Sequence, residues 1–201
     1  MGHQKFNLAK LEKLNDPGRF ETLPPDVFWA ALGEPTGVIV EIGAGTGVFA
    51  AAFAARSPEV TIYAADIEDA MLDWMRTNRP EVAEGRIVPV KASEANVPLP
   101  DGIASAVYMI NLHHELADPD ASYAEAFRLL GPGGRLLAVD WADRETPRGP
   151  AVAMRASADS LRAHVEGAGF IEVRADADRL PWHTLVTGTR PPIWTGGDPH
   201  E

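Results

Sequence analysis

The chain predicts an α/β domain built on a mostly parallel sheet with helices on both faces. Three observations point there. Short apolar or β-branched runs at 38–42, 60–66 and 104–110 alternate with stretches at helical spacing. The first run passes through Gly43-Ala44-Gly45-Thr46-Gly47 into an alanine-rich stretch, Ala50 to Arg56, which is the pattern of strand, tight turn and helix. The last two runs, 171–175 and 183–188, pair as an antiparallel hairpin at the sheet edge. At 201 residues the length suits one domain with its own core, and with no cysteine neither a disulfide framework nor a thiolate metal site is available.

Residues 1–33 are expected to form an N-terminal helical segment, 34–189 the main domain and 190–201 a loose Pro/Gly-rich tail. In the first segment Phe6, Leu8, Leu11 and Leu14 form an apolar stripe near helical spacing, and Asn15-Asp16-Pro17-Gly18 is a turn. Pro24-Pro25-Asp26 opens a helix that buries Val27, Phe28, Ala31 and Leu32 and stops at Gly33. Next come the strand at 38–42 and its glycine turn. Glycine is required where a side chain would block a ligand or forbid the turn's backbone angles. The glycines at 43, 45 and 47 give G-x-G-x-G, whereas a dinucleotide fingerprint is G-x-G-x-x-G. Glu41, just before the turn, is a poor neighbour for a pyrophosphate and a good one for a ligand with an ammonium and a sulfonium.

This E-x-G-x-G-x-G pattern resembles the first motif of the class I S-adenosylmethionine (SAM)-dependent methyltransferases. The second strand, Val60 to Asp66, ends in an acid close to the ~20-residue offset at which a carboxylate meets a ribose. The resemblance implies that Asp66 accepts from both ribose hydroxyls and that Ile67 packs on the adenine; a helix cap is the other role open to Asp66. Ala70, Met71, Trp74 and Met75 follow at helical spacing, with Met71 either reaching the adenine or simply filling core. After the third strand, Ile87 to Val90, the segment Val97-Pro98-Leu99-Pro100-Asp101 resembles the family's "LPFPD". The family commonly has Asp five residues before that first Pro, bonded to the adenine amino group. Here Ser93 stands there, with Glu94 adjacent as a substitute. The family's Phe-Asp after Pro-Asp-Gly is also missing, and Ala104-Ser105 take its place.

The fourth strand, Ala104 to Ile110, is nearly continuously apolar and ends in Asn111-Leu112-His113-His114-Glu115-Leu116. Ligands of open α/β sheets bind beyond the carboxyl ends of the strands. That places Asn111, His113 and His114 where a methyl acceptor should approach, with Asn111 also counted among the cofactor contacts and His113 and His114 the candidates for a general base. Adjacent histidines point in different directions and no H-x-x-x-H spacing is present, so no metal is assigned. Asp118-Pro119-Asp120 starts a helix with Tyr123, Phe127 and Leu130 on its apolar stripe, expected to end at Gly131. Leu129 to Arg135 resembles the family's "L(K/R)PGG" turn before the fifth strand, Leu136 to Trp141. Trp141 and Arg144 are candidates to shape a substrate. Ser157 caps a helix carrying Leu161, His164, Val165 and Ala168, and Gly169-Phe170 resembles the family's "GF" stop. His183 is expected to be a plain strand residue.

From Gly37 to about Thr189 the order resembles that of small-molecule methyltransferases of the ubiquinone-biosynthesis type. The resemblance implies a Rossmann-like sheet of seven strands, the last antiparallel and inserted between the fifth and sixth. It also implies SAM as cofactor, S-adenosylhomocysteine (SAH) as product, and a small-molecule methyl acceptor. The expected SAM-site residues are Glu41, Gly43, Ala44, Gly45, Thr46, Gly47, Asp66, Ile67, Met71, Ser93, Glu94 and Asn111. Two rivals remain: a protein that binds SAM or SAH without catalysis, and a nicotinamide-dependent oxidoreductase. The second predicts a Y-x-x-x-K pair, which none of Tyr63, Tyr108 or Tyr123 provides. A formal charge of −11 argues against an extended nucleic-acid surface. No run approaches the ~18 apolar residues of a membrane span, and the N-terminus lacks a signal peptide's apolar core. The expectation is a cytoplasmic protein, with a homodimer as an open assembly.

Overall fold

The structure is a computed structural model that describes residues 8–193, with side chains from residue 11 onward. Phe6 and the tail beyond residue 193 lie outside the described residues. The chain runs α1 (Leu8–Asn15), α2 (Arg19–Thr22), α3 (Pro25–Ala31), β1 (Gly37–Ile42), α4 (Val48–Arg56), β2 (Val60–Asp66), α5 (Asp69–Asn78), α6 (Pro80–Ala83), β3 (Ile87–Lys91), β4 (Ala104–Ile110), α7 (Pro119–Leu129), β5 (Leu130–Trp141), α8 (Ala158–Gly167), β6 (Ile171–Asp176) and β7 (His183–Thr189). Single 3-10 turns sit at His113–Glu115 and Val152–Met154.

The seven strands form one sheet in the order β3-β2-β1-β4-β5-β7-β6. β1 to β5 pair in parallel, and β7 runs antiparallel between β5 and β6. Because successive strand residues point to opposite faces, each central strand serves two cores. Ile39, Tyr108 and Leu137 join the core that includes Phe28, Phe49 and Phe53, while Val40, Val107 and Leu136 join the core that includes Tyr123, Leu161 and Val165. That double demand explains the apolar runs 106–110 in β4 and 136–139 in β5. The strand order reverses between β1 and β4, since β1 is followed outward by β2 on one side and β4 on the other. A crevice opens at such a switch point, beyond the strands' carboxyl ends.

Several local expectations hold in detail. Pro25 opens α3 and Gly33 follows it with φ +78. Asp118 caps α7 by accepting from the Ala121 amide at 3.0 Å, and Ser157 Oγ caps α8 by accepting from Ser160 N at 3.1 Å. Others are corrected. α7 stops at Leu129 and Gly131 does not end it, because Leu130 already pairs with Ala104 and the Pro-Gly-Gly segment is carried inside β5 across a register shift. In α3 the buried residues are Phe28 and Trp29, with Leu32 buried just beyond the helix. In α5 the buried stripe is Met71, Leu72 and Met75, while Trp74 carries the Arg79 guanidinium 5.0 Å above its ring. Among the described residues no helix is long and apolar enough to cross a membrane.

Candidate functional site

At the switch point the turn after β1 is laid against β2. The Gly43 and Ala44 amides both donate to Ala65 O at 2.9 Å, and Gly45 N donates to Asp66 Oδ2 at 2.6 Å. Gly47 adopts φ +66 and starts α4. A Cβ there would lie 2.7 Å from Met75 Sδ. Gly47→Ala should therefore lose about 1–2 kcal/mol of stability from the left-handed backbone alone, read as a lower urea midpoint at unchanged m-value.

Glu41 is 2% exposed and faces the same side of the sheet as Tyr108, its register partner across β4. The Tyr108 hydroxyl donates to Glu41 Oε2 at 3.1 Å. Burial pushes the Glu41 carboxyl up to about 8, against the Tyr108 hydrogen bond and the nearby Arg19 charge, which pull it down. Among the described residues no lysine or arginine nitrogen lies within ion-pair distance of it. Burial likewise raises the Tyr108 phenol, which stays a donor.

A cavity of about 220 Å³ sits over this turn. Glu41, Gly43, Ala44, Gly45, Thr46, Asp66, Ile67, Met71, Ser93, Glu94 and Asn111 all line it, so of the expected cofactor residues only Gly47 is set back, where it shapes the turn. Asp66 does not sit at the N-cap position of α5, which Glu68 occupies. Its Oδ1 accepts from Glu68 N at 2.8 Å, so one carboxylate ties the glycine turn to the turn after β2. Ile67 is 48% exposed on the cavity rim, and Met71 is both cavity lining and core. Ser93 closes a small turn with Asn96. Asn111 adopts φ +57, gives its amide to Val139 O at 2.7 Å, and leaves a buried Oδ1 without a partner.

The N-terminal segment covers this turn. Asn15 Oδ1 accepts from Thr46 Oγ1 at 3.1 Å and from Arg79 Nη2 at 2.7 Å, and Arg79 Nε donates to Thr46 O at 2.9 Å. Leu14 and Arg19 line the cavity from above. Nothing in the one-dimensional pattern marks Tyr108, Arg19 or this clasp, because their partners are distant along the chain.

A second cavity of about 170 Å³ adjoins the first and shares Leu14, Arg19, Asn111 and Glu115 with it. The two adjacent histidines part here. His114 lines the second cavity, and its Nδ1 lies 2.9 Å from Asp140 Oδ1. Asp140 is 2% exposed, so in the neutral ring Nδ1 carries the proton and Nε2 is the acceptor, 3.8 Å from Glu115 Oε1. Burial opposes charge on this ring, but the Asp140 hydrogen bond, with the Asp140 and Glu115 charges, outweighs it and raises His114 above its ordinary value. His113 lines neither cavity. Its Nδ1 lies 3.2 Å from Tyr123 Oη, its ring rests 5.4 Å from His164, and burial lowers its pKa. Trp141 lines the second cavity as expected, whereas Arg144 is drawn off to the carbonyls of Leu180 and Pro181 at 3.3 and 3.2 Å. His183 is the strand residue expected, in β7, and is fully buried behind the second cavity's wall. Among the described residues no group of three or more His, Asp or Glu is placed to hold a metal.

Residues 40–138 match a family model described as a methyltransferase domain. The chain is similar to a malonyl-[acyl-carrier protein] O-methyltransferase of Methylococcus capsulatus, 31% identical over 74% of this chain and 57% of that protein. It is also similar to a ubiquinone/menaquinone biosynthesis C-methyltransferase of Bordetella parapertussis, 28% identical over 75% and 67%. The chain spans about half the length of several such relatives. In fold it is similar to a SAM-dependent methyltransferase from Aquifex aeolicus, with TM-score 0.81 and 24% identity over 92% of this chain and 100% of that one. A phosphoethanolamine N-methyltransferase of Haemonchus contortus, solved with S-adenosyl-L-methionine, aligns with TM-score 0.70 and 12% identity over 85% and 52%.

Proposed function

We propose that this chain is a class I SAM-dependent methyltransferase, a reading supported by its match to a methyltransferase-domain model over residues 40–138, that it binds SAM in the first cavity and that it transfers the methyl group to a small-molecule acceptor in the second. The observation that carries the reading is Glu41, a carboxylate buried beside the glycine turn with no fixed cationic partner. A buried carboxylate is costly unless a cation meets it, and the ammonium of SAM is such a cation. Asp66 would receive the ribose hydroxyls, Ile67 and Met71 would flank the adenine, and Ser93 with Glu94 would meet its edge. Asn111, between the cavities with an unpartnered Oδ1, would orient polar groups on either side.

When bound, the sulfonium supplies an activated methyl group with a neutral thioether as leaving group. The protein's part is chiefly to align and enclose. His114 Nε2 would take the proton of an acceptor that must lose one. The negative charge and the lack of cysteines support a cytoplasmic enzyme that does not engage nucleic acid.

Glu41 gives the test. Calorimetry should show SAM and SAH binding, and at pH 7 close to one proton should be released per molecule bound, because the free carboxyl is largely protonated below about 8. The dissociation constant should tighten by up to about tenfold per pH unit approaching pH 8 and then level off. The free protein's stability runs the other way. A raised acid stabilises the fold below its ordinary pKa of 4.5, and that contribution is lost as pH climbs through about 8. Glu41→Gln should abolish the proton release and weaken SAM by about 10- to 100-fold. Tight NADH binding with SAM and SAH ignored would sink the reading.

A further inference from the structure

The second cavity has walls of a different character from the first. We propose that its occupant is a single-ring aromatic hydroxy acid: the ring lies against Trp141 and Trp182, the ionised acid meets Arg148 at the mouth, and the ring hydroxyl is received by His114. This rests on the methyltransferase reading above.

Size sets the first limit. The cavity holds about 170 Å³, near the ~150 Å³ that accommodates one benzene ring. Two indoles in one small cavity favour an aromatic face over an aliphatic chain. Charge sets the second limit. The lining carries three fixed cations, Lys13, Arg19 and Arg148, against two carboxylates, Asp16 and Glu115, in a chain whose net charge is −11. Arg148 makes no ion pair among the described residues, and its guanidinium lies 5.1 Å over the Trp182 ring. It is a cation held at the rim with its donors available.

His183 supplies the third observation. It pairs with Trp141 across the β5–β7 ladder, and the two rings stand 4.2 Å apart. The residue is 0% exposed, and neither ring nitrogen has a hydrogen-bond partner. The His183 ring thus backs the Trp141 wall of the cavity. Burial pushes this ring down to about 4, so at neutral pH it adds no charge to the wall behind Trp141. In the transfer itself, His114 Nε2 takes the hydroxyl proton as the oxygen–carbon bond forms. The carbon–sulfur bond breaks, and its electron pair stays on sulfur.

The test uses 4-hydroxybenzoate as probe, titrated calorimetrically into protein already saturated with SAH and followed by tryptophan fluorescence. SAH should bind first. 4-Hydroxybenzoate should then bind at least about tenfold more tightly than phenol, which lacks the acid, and than 6-hydroxy-2-naphthoate, which has two rings. Arg148→Met, on an exposed loop, should bring the acid and phenol to within about threefold of each other. With labelled SAM, 4-methoxybenzoate should form. SAH binding with equal affinity for phenol, equal affinity for the naphthoate, or no effect of Arg148→Met would overturn the acceptor assignment alone. Failure of SAH to bind would remove the methyltransferase reading and this proposal together.

Discussion

His114→Gln is expected to lower kcat by about two to four orders of magnitude, the usual contribution of a positioned general base, while SAM affinity stays within about twofold. The expectation comes from geometry. Asp140 Oδ1 holds His114 Nδ1 at 2.9 Å and also accepts from Trp141 N at 2.7 Å, which fixes the carboxylate and hence the ring. Nε2 is left for the acceptor. The neutral ring is the active form, so the rate should rise with pH through a value above the ordinary 6.5, because the Asp140 bond raises this histidine. Asp140→Asn should move that limb downward and lose much of the rate, since the tautomer is no longer fixed. His113→Gln should leave the limb in place, because His113 lines neither cavity. Stopped-assay measurements with labelled SAM from pH 5.5 to 9 would decide. A His114→Gln enzyme with unchanged kcat and an intact limb would remove the base from the mechanism.

The second large effect is on stability. Arg128→Met should cost about 3 kcal/mol, the lower end for breaking a buried charge pair because the arginine is partly exposed. Glu125 is 7% exposed, and its Oε1 accepts from Val97 N at 2.6 Å and from Arg128 Nη2 at 2.7 Å, while Oε2 accepts from Arg128 Nε at 2.7 Å. The same guanidinium donates to Leu99 O at 2.9 Å, to Asp101 Oδ1 at 2.5 Å and to Val97 O at 3.0 Å. Removing it leaves a nearly buried carboxylate with one backbone donor, and frees the segment that carries Ser93 and Glu94. For a chain of this size the midpoint should fall by roughly 6–12 °C, at 2–4 °C per kcal/mol. Arg128→Met combined with Glu125→Gln should recover a substantial part of the loss, because the orphaned charge is then gone. A midpoint within about 2 °C of wild type for the single variant would show the network to be dispensable.

Much of the fold was legible. The seven strands, the glycine turn and the caps at Asp118 and Ser157 are local patterns, and each appears where the pattern places it. Strand ends were less so. β5 begins at Leu130 because Ala104 pairs with it, a contact no window around Gly131 contains. In the site, the lining of the first cavity followed from motifs near the ends of β1, β2 and β4, since a switch point gathers strand ends whatever else the chain does. Arg128 could be placed in the last turn of a helix, but its link to the 97–101 segment depends on how that segment crosses α7.

Read alone, the residues determined that an acidic strand end and three alternating glycines would form a cradle, because backbone angle and periodicity act over a few residues. They could not decide between His113 and His114, nor pair Glu41 with Tyr108, nor set His183 beside Trp141 in a second cavity. Those relations depend on register between strands far apart in the chain, and only the packed sheet, with one face turned to each core, fixes which side chains share a wall.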